Sequence, residues 1–312
     1  MKSVTVVGSG IVGLTSAIVL QENGSTVTIV AKEHYSKTLS SKVGAIWFPF
    51  EIEPAKKANK WAALSYQRYQ EEAKNGNDVS FIPFLTAYTS ESNTKWTEQL
   101  PAGAVRNATP EELPKGIEKA FVSNVPLMEP LKYLPFLFNR FIENGGHFEK
   151  SGIASLKEMS SLNSLVVNCT GLGAKELCND NELIPMRGQI LRCAKLNTPS
   201  FAEPTKKGAL TYVINRSGDS IIGGTDYENN WNVNIEKSDT DLILSRFESL
   251  GLDNKTPQIL EEMVGLRPKR KSVRFEFDQS FNNIFHNYGH GGAGFTVAWG
   301  CAIELSEILS KT

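Results

Sequence analysis

The sequence predicts an α/β protein in which a parallel α/β domain, formed by both ends of the chain, carries an inserted α+β domain built on a mostly antiparallel sheet. Three observations predict this fold. The chain opens as strand, helix and strand; the part beyond Pro185 is a succession of short strands joined by turns; the last segment is a glycine-rich turn followed by a helix. A chain of 312 residues is long enough for two domains. We expect the first to comprise residues 1–53, 126–182 and 266–312, and the second residues 54–125 and 183–265.

Hydrophobic periodicity defines the opening elements. Residues 3–7 are a β-branched apolar run that predicts a buried strand, and residues 26–31 predict a second one. Residues 11–22 between them predict a helix, because apolar side chains recur there at helical spacing. The chain therefore opens with a βαβ unit.

The middle of the chain gives weaker signals. Residues 54–74 are polar with helical character, residues 79–88 predict a strand, and residues 89–118 predict connections only. A helix is predicted from Pro130, which suits a first helical turn, to Asn144, where Asn-Gly-Gly ends it. Two short strands are predicted next, at residues 147–150 and 165–168.

Antiparallel elements are predicted beyond Pro185, with a hairpin turn at residues 216–219. In order, they are strands at 188–193, 210–215 and 220–223, a helix at 239–250, and strands at 258–266 and 272–277. The closing residues 286–295 are glycine-rich and predict a turn, after which a helix runs to about Leu309.

Composition excludes several classes of protein. The 33 Lys and Arg nearly balance the 34 Asp and Glu, so no basic surface for nucleic acid or anionic membranes is predicted. No apolar run approaches the roughly 20 residues that span a bilayer. The four cysteines form no CxxC pair, so we expect no disulfide framework and no metal site, and a reducing, cytoplasmic location.

A glycine fingerprint lies between the first strand and the first helix. Its residues are Gly8, Ser9, Gly10, Ile11, Val12 and Gly13. The first glycine permits a tight turn, the second lets the backbone approach a pyrophosphate, and the third allows close packing of helix on strand. Glu33, twenty residues after Gly13, can accept from a ribose hydroxyl. The pattern predicts a Rossmann-like dinucleotide site; an ordinary tight turn is the alternative.

FAD-binding and NAD-binding proteins share this fingerprint, so other residues must indicate which of the two cofactors is bound. Thr170 and Gly171 follow a later strand, and Gly289, Gly291, Gly292 and Gly294 precede the last helix. The closely spaced glycines would expose backbone N–H groups at a positive helix end, which suits the charge that a reduced flavin develops. A flexible loop ahead of a capped helix is the alternative.

These features resemble the D-amino-acid oxidase family of FAD-dependent amine oxidases, over nearly the whole chain. The segments that carry the resemblance are Val6–Leu14, Gly44–Pro49, Val167–Gly171, Arg187–Ile190, Gly223-Gly224 with Trp231, Gly265–Pro268 and His286–Phe295. The resemblance implies a Rossmann-like FAD-binding domain with an inserted α+β substrate domain, and FAD held without a covalent bond. It implies contacts to FAD from Gly8, Ser9, Gly10, Ile11, Val12, Gly13, Lys32, Glu33, Ser40, Ser41, Gly44, Ala45, Ile46, Ile153, Thr170, Gly171, Gly291, Gly292, Ala293, Gly294, Phe295 and Thr296.

The resemblance also implies the reaction and the residues that carry it. A D-amino acid would give its α-hydrogen to the flavin as hydride, the imino acid would hydrolyse to a 2-oxo acid and ammonia, and oxygen would reoxidise the flavin, forming hydrogen peroxide. Arg267 matches the family's carboxylate clamp, Tyr212 matches the tyrosine that donates to the same carboxylate, and the carbonyl of Gly292 would accept from the amino group. With these groups fixed, only one α-hydrogen faces the flavin.

Departures from the family pattern bear on the substrate. Gly208 stands where animal members carry a lid tyrosine. Another branch carries a tyrosine directly after Gly-Gly-Thr, where this chain has Asp226, and Tyr227 follows one place later. Phe48 and Phe50 suggest an apolar wall, so we expect neutral D-amino acids, although Arg216 leaves an acidic side chain open. A glycine or sarcosine oxidase and a non-catalytic dinucleotide sensor remain alternatives. The expected partners are the amino acid, oxygen and a second copy of the chain in a homodimer.

Overall fold

The computed structural model describes residues 2–49, 51–162, 165–206, 208–253 and 255–311, so Phe50 of the expected apolar wall lies outside the described residues. In chain order the strands and helices are β1 (Ser3–Val7), α1 (Ile11–Glu22), β2 (Thr26–Ala31), α2 (Ala55–Lys74), β3 (Val79–Ala87), β4 (Val105–Asn107), β5 (Ala120–Met128), α3 (Pro130–Glu143), β6 (His147–Lys150), α4 (Leu156–Ser160), β7 (Leu165–Asn168), α5 (Ala174–Leu177), β8 (Ile184–Ala194), β9 (Ser200–Glu203), β10 (Thr211–Asn215), β11 (Asp219–Gly223), β12 (Tyr227–Glu228), α6 (Lys237–Ser249), β13 (Ile259–Phe277), β14 (Ile284–His290) and α7 (Gly294–Leu309).

The chain divides into two compact units. Unit 1 comprises Met1–Val79, Met128–Pro185 and Arg267–Thr312, and unit 2 comprises Ser80–Leu127 and Met186–Leu266. Residues 54–79 are expected in the inserted domain. In the structure α2 belongs to unit 1, since one face of the helix is apolar and buried there, with Ala58, Trp61, Ala62 and Tyr69 among its buried residues.

Unit 1 is a Rossmann-like layered structure. Its strands lie in the order β14-β7-β1-β2-β6, and every neighbouring pair in this series is parallel. The last part of β13 pairs antiparallel with β14 at one edge. Helix α7 packs against both α1 and α2. The approach to α2 is close, because a methyl group added at Gly300 would lie 2.1 Å from the Trp61 carbonyl oxygen.

Unit 2 is built on a mostly antiparallel sheet. Its strands lie in the order β4-β5-β3-β9-β10-β11-β8, followed by the first part of β13. The pairs β4–β5, β9–β10, β10–β11 and β11–β8 are antiparallel, whereas β3–β9 is parallel. Helix α6 covers one face, where its Ile243 and Phe247 are buried against Leu191, Val213 and Ile222. The fold class expected from the sequence, a Rossmann-like domain with an inserted α+β domain, is confirmed.

Two predicted elements were wrong around the closing strands. The strands expected at 258–266 and 272–277 are one strand, β13, which is 19 residues long. Pro268 lacks an N–H group but does not end the strand, since its carbonyl oxygen accepts from the Gly291 N–H at 2.8 Å. The residues between Lys269 and Arg274 take up a register shift instead. The glycine-rich segment expected to be a turn from residue 286 is a buried strand as far as His290.

Five strands were not anticipated: β4, β5, β9, β12 and β14. β5, β9 and β14 escaped detection because their apolar residues are interrupted by polar ones that tertiary contacts bury; Ser123 of β5 and Asn287 of β14 are fully buried. Among the described residues, no helix is both long and apolar enough to cross a lipid bilayer.

Candidate active site

The glycine fingerprint forms a tight loop between β1 and α1. Gly8 has a φ of +115°, and a methyl group added there would lie 2.4 Å from the Cys169 carbonyl oxygen. A methyl group at Gly13 would lie 2.0 Å from the Gly8 carbonyl oxygen. Both positions therefore require glycine. The N-cap of α1 is Gly10, with no side-chain cap, so the helix presents backbone N–H groups and the positive end of its dipole.

Two neighbouring segments are hydrogen-bonded to this loop. The hydroxyl group of Ser9 donates to the Glu33 carbonyl oxygen at 2.6 Å, and the Ile11 N–H donates to the Ser40 hydroxyl oxygen at 3.0 Å. These bonds hold the end of β2 and the Ser40 turn beside the N-terminus of α1. The side chains of Lys32 and Glu33 are exposed. Ser41 lies next to Ser40, and its hydroxyl donates to the Thr38 carbonyl oxygen at 2.9 Å.

A buried polar chain supports Thr170, which follows β7. The Thr170 N–H and hydroxyl both donate to the Asn168 side-chain oxygen, at 3.2 and 2.8 Å. The Asn168 amide nitrogen lies 3.1 Å from His286 Nδ1, and His286 Nε2 lies 2.9 Å from an Asp278 carboxylate oxygen. These partners assign a neutral imidazole that donates from Nε2 to Asp278 and accepts from Asn168 at Nδ1. Burial lowers the pKa of His286, in agreement with the neutral form.

The glycine turn after β14 brings a second helix end to the same place. Gly291 has a φ of +55°, and the Ala293 N–H donates to the His290 carbonyl oxygen at 3.0 Å. Helix α7 then begins at Gly294 without a side-chain cap. A methyl group added at Gly294 would lie 3.6 Å from Ile11 Cγ2, so the N-termini of α7 and α1 are adjacent. Two positive helix ends therefore converge.

Arg267 lies against this turn. A methyl group added at Gly292 would lie 3.6 Å from Cδ and 3.9 Å from Nε of the Arg267 side chain. Gly292 is exposed and Arg267 is partly exposed, so both can be reached by a small molecule. Gly171 is close to the same strand, because its methyl position lies 4.0 Å from Pro268 Cγ.

The remaining candidates of unit 1 surround these loops. The Met128 N–H donates to the Ala45 carbonyl oxygen at 3.0 Å, which holds the segment Gly44, Ala45 and Ile46. The Thr296 hydroxyl exchanges hydrogen bonds with the Phe48 backbone, donating at 2.9 Å and accepting at 3.0 Å. Ile153 packs on an apolar cluster under β1 and β7. The Phe295 carbonyl oxygen accepts from the Tyr69 hydroxyl at 2.7 Å.

Tyr212 is carried by unit 2, on β10. It is paired across the hairpin with Gly223, and a methyl group at Gly223 would lie 2.1 Å from Tyr212 Cζ. The ring therefore lies flat over a strand position that only glycine can occupy.

Two further residues of unit 2 that bear on the substrate have carboxylate partners. The Tyr227 hydroxyl donates to Asp239 at 2.8 Å. Arg216 is engaged bidentately by Asp219, at 2.6 and 2.7 Å.

Asn168, His286 and Asp278 were missed as site residues by the sequence analysis. Asn168 and His286 stand in two of the segments that carry the family resemblance, but their contact joins residues 118 positions apart. A polar residue that ends an apolar strand could have indicated Asn168, whereas His286 lies inside β14 and Asp278 follows β13, so no comparable local signal indicated these two.

Unit 1 is a parallel sheet whose first strand ends in a glycine loop at a helix whose N-cap is also a glycine, and this arrangement defines a dinucleotide-binding protein. The loops fit such a ligand, because their glycines have no side chains that would keep the ligand away from the backbone. A family model described as FAD-dependent oxidoreductase (DAO) matches residues 3–308. The chain belongs to this family, and its cofactor is FAD.

Curated relatives agree with this assignment. A D-amino-acid oxidase from Rubrobacter xylanophilus is 33% identical over 309 residues, which cover 97% of this chain and 94% of that protein. A D-amino-acid oxidase from Dictyostelium discoideum is 32% identical, with 98% of this chain and 91% of that protein covered. Family membership favours an enzyme over a non-catalytic sensor.

Solved structures share the fold. L-proline dehydrogenase from P. horikoshii has a TM-score of 0.82 at 18% identity, covering 99% of this chain and 93% of that one. Glycine oxidase from Bacillus cereus has a TM-score of 0.79 at 16% identity, covering 100% of this chain and 95% of that one. At these identities the likeness concerns the fold alone.

Proposed function

We propose that this enzyme oxidises neutral D-amino acids. The balanced reaction converts the amino acid, oxygen and water to a 2-oxo acid, ammonia and hydrogen peroxide. The observation that carries the proposal is the position of the Arg267 side chain against Gly292, in the turn that opens α7. Full-length similarity to proteins named D-amino-acid oxidase supports it.

We propose that FAD is held by the glycine loop, by the Ser40 and Ala45 segments and by the two turns that follow β7 and β14. The residues are those expected from the family resemblance, from Gly8 to Thr296. When bound, FAD accepts the two electrons of the oxidation and passes them to oxygen. The converging N-termini of α1 and α7 would stabilise the negative charges of the pyrophosphate and of the reduced ring.

The substrate roles follow from the chemistry of three groups. The Arg267 guanidinium would bind the substrate carboxylate through two parallel hydrogen bonds, which lysine cannot reproduce. The Gly292 carbonyl would accept from the amino group, and the Tyr212 hydroxyl would donate to the carboxylate. Fixing the acid and the amine leaves one orientation for the α-hydrogen, so the arrangement would select one enantiomer.

The preference for neutral side chains rests on two features. Arg216, the residue that left acidic substrates open, is already paired with Asp219, and its side chain is 7% exposed. Phe48 contributes an apolar ring next to the Ala45 segment. A panel of D-alanine, D-valine, D-lysine, D-aspartate, glycine and sarcosine, with peroxide as the readout, tests this preference. Faster turnover of glycine or sarcosine than of every D-amino acid would favour a glycine oxidase instead.

Arg267→Ala tests the carboxylate clamp. Losing a charge-assisted pair costs about 3 kcal/mol or more, so we expect kcat/KM for D-alanine to fall at least about a hundredfold. The variant should remain yellow, because the proposed FAD contacts are untouched. Lys269→Ala, two residues along β13 and paired with Glu51 at 2.7 Å, is the matched control and should retain activity. Wild-type kcat/KM in Arg267→Ala would contradict the assignment.

We also propose a cytoplasmic location and a homodimer. The four cysteines are all unpaired thiols, as expected in a reducing compartment. Trp231, Val233 and Ile235 form an exposed apolar stretch that a second copy of the chain could cover. Cell fractionation and light scattering of the purified protein test the two proposals. A monomeric mass at micromolar concentration would contradict the dimer.

A further inference from the structure

Arg246 of α6 closes the open end of the hairpin formed by β10 and β11. Its Nη2 donates to the Gly208 carbonyl oxygen at 2.9 Å, and its Nη1 donates to the carbonyl oxygens of Gly224 at 3.2 Å and Leu210 at 3.5 Å. Gly208 and Leu210 precede β10, whereas Gly224 follows β11. The two sides of the hairpin also meet through the Gly224 N–H, which donates to the Leu210 carbonyl oxygen at 3.1 Å. One guanidinium therefore holds both sides.

The same backbone supports the Tyr212 phenol. A methyl group at Gly224 would lie 3.3 Å from the Tyr212 hydroxyl oxygen, and one at Gly223 would lie 2.4 Å from it. The Tyr212 hydroxyl thus lies against the main chain of Gly223 and Gly224. Arg246 binds the carbonyl oxygen of Gly224. A shift of Gly224 by a few tenths of an ångström would move or loosen the phenol.

We propose that Arg246 is a positioning residue that acts through Tyr212, fixing the phenol where it meets the substrate carboxylate. This inference rests on the proposed function, since it takes Tyr212 to bind substrate. The rigid, planar fork of arginine suits the task, because donors on two nitrogens reach carbonyls on both sides of the hairpin at once. A lysine ammonium has only one nitrogen, so it could bind a carbonyl on one side of the hairpin but would leave the other side free to move.

The position of Gly208 gives Arg246 a second consequence. Gly208 lies in the segment before β10, and its carbonyl oxygen accepts from Arg246 of α6. The segment before β10 is thereby attached to the helix.

The first test compares Arg246→Ala and Arg246→Lys with wild type. We expect the KM for D-alanine to rise about tenfold in the alanine variant, with kcat changed less than about threefold and the FAD dissociation constant unchanged. Arg246→Lys should show a smaller rise and provides the readout if the alanine variant does not fold. Arg192→Ala is the matched control, because Arg192 pairs with Asp219 at the closed end of the same hairpin and with Glu261. It should keep the wild-type KM.

A double-mutant cycle with Tyr212→Phe separates positioning from a general structural role. If Arg246 acts through the phenol, Arg246→Ala should change KM less than about twofold in the Tyr212→Phe background. Additive effects of the two substitutions would overturn the inference while leaving the proposed function intact. A wild-type KM in Tyr212→Phe would overturn the inference together with the proposed role of the Tyr212 hydroxyl, but not the oxidation of D-amino acids. A wild-type enzyme that forms no peroxide with any D-amino acid would overturn the proposed function, and this inference with it.

Discussion

Burial determines the protonation of individual side chains in the core of unit 1. His290 is 4% exposed, its Nε2 lies 3.7 Å from the Cys301 thiol, and burial lowers its pKa to about 4. Burial raises the pKa of Cys301 well above its ordinary range, so the thiol is neutral. A buried neutral imidazole beside a neutral thiol is a structural pair rather than an acid–base dyad, because neither group changes charge near neutral pH.

The low pKa of His290 predicts an acid-sensitive fold. In the unfolded chain this histidine binds a proton near pH 6.5, whereas in the folded protein it stays neutral until about pH 4. Its contribution to stability is therefore complete above about pH 6.5 and is lost as the pH falls toward 4. Between about pH 7.5 and 5 we expect a loss of about 2 kcal/mol in the free energy of unfolding.

Denaturant unfolding at a series of pH values measures this loss, with FAD present at a fixed saturating concentration. His290→Gln should show a shallower pH dependence than wild type, because glutamine does not titrate. The carboxyl groups and the other three histidines contribute equally to both proteins, so the difference isolates His290. Parallel curves for the two proteins would show that folding does not lower the pKa of His290.

At the scale of elements, a closed set of ion pairs joins the first three helices. Glu22 of α1 binds Arg68 of α2 and Arg140 of α3, each at 2.5 Å. Glu72 of α2 binds the same two arginines, at 3.0 and 2.8 Å. The Glu72 side chain is 3% exposed, whereas the two arginines are 19% and 26% exposed. Each carboxylate thus bridges two guanidinium groups.

Glu72→Gln tests this set of ion pairs. The substitution keeps the shape but leaves two partly buried arginines with one carboxylate instead of two, so we expect a cost of about 2 kcal/mol in the free energy of unfolding. Glu71→Gln is the matched control, since Glu71 is 66% exposed and lies 3.9 Å from Arg68. The control should change stability by less than about 0.5 kcal/mol. Equal effects in urea unfolding would remove the distinction between buried and exposed pairs.

The elements also show what local sequence can predict. The βαβ opening was predicted with its observed bounds, because periodicity and the glycine fingerprint both lie within one short stretch. The buried face of α2 was missed, because Lys, Gln and Glu alternate along the helix with the residues of that face, among them Trp61, Tyr66 and Tyr69. Strand β13 was divided at Pro268, because its continuation depends on a partner in the distant turn at Gly291.

The same limit applies to the site. The glycine loop and the turn before α7 were predicted as separate motifs, but their adjacency through Ile11 and Gly294 is a tertiary fact. The support of Thr170 by Asn168 and His286 likewise joins β7 to β14, which are neighbours in the sheet and far apart in sequence. Local motifs indicate which chemistry is available, and the sheet order decides which motifs meet.

At the scale of the whole molecule, the proposed FAD contacts come from the start, middle and end of the chain, all within unit 1. A ligand that binds these loops together stabilises the folded state by mass action, by about 2.7 kcal/mol at a hundred times its dissociation constant. We therefore expect FAD to raise the Tm of the apoprotein by several degrees. The rise should follow the logarithm of the FAD concentration.

Hydrogen exchange shows where this stabilisation acts. Adding FAD to the apoprotein should slow exchange at residues 8–13, 170–171 and 291–296, because ligand contacts suppress local opening there, and should leave the α6 helix of unit 2 little changed. Gly13→Ala is the control, since its methyl group would lie 2.0 Å from the Gly8 carbonyl oxygen and would distort the loop. That variant should bind FAD at least about tenfold more weakly and show no protection at residues 8–13 at the same FAD concentration. Protection confined to unit 2, or wild-type FAD affinity in Gly13→Ala, would mean that the cofactor is held by other parts of the chain.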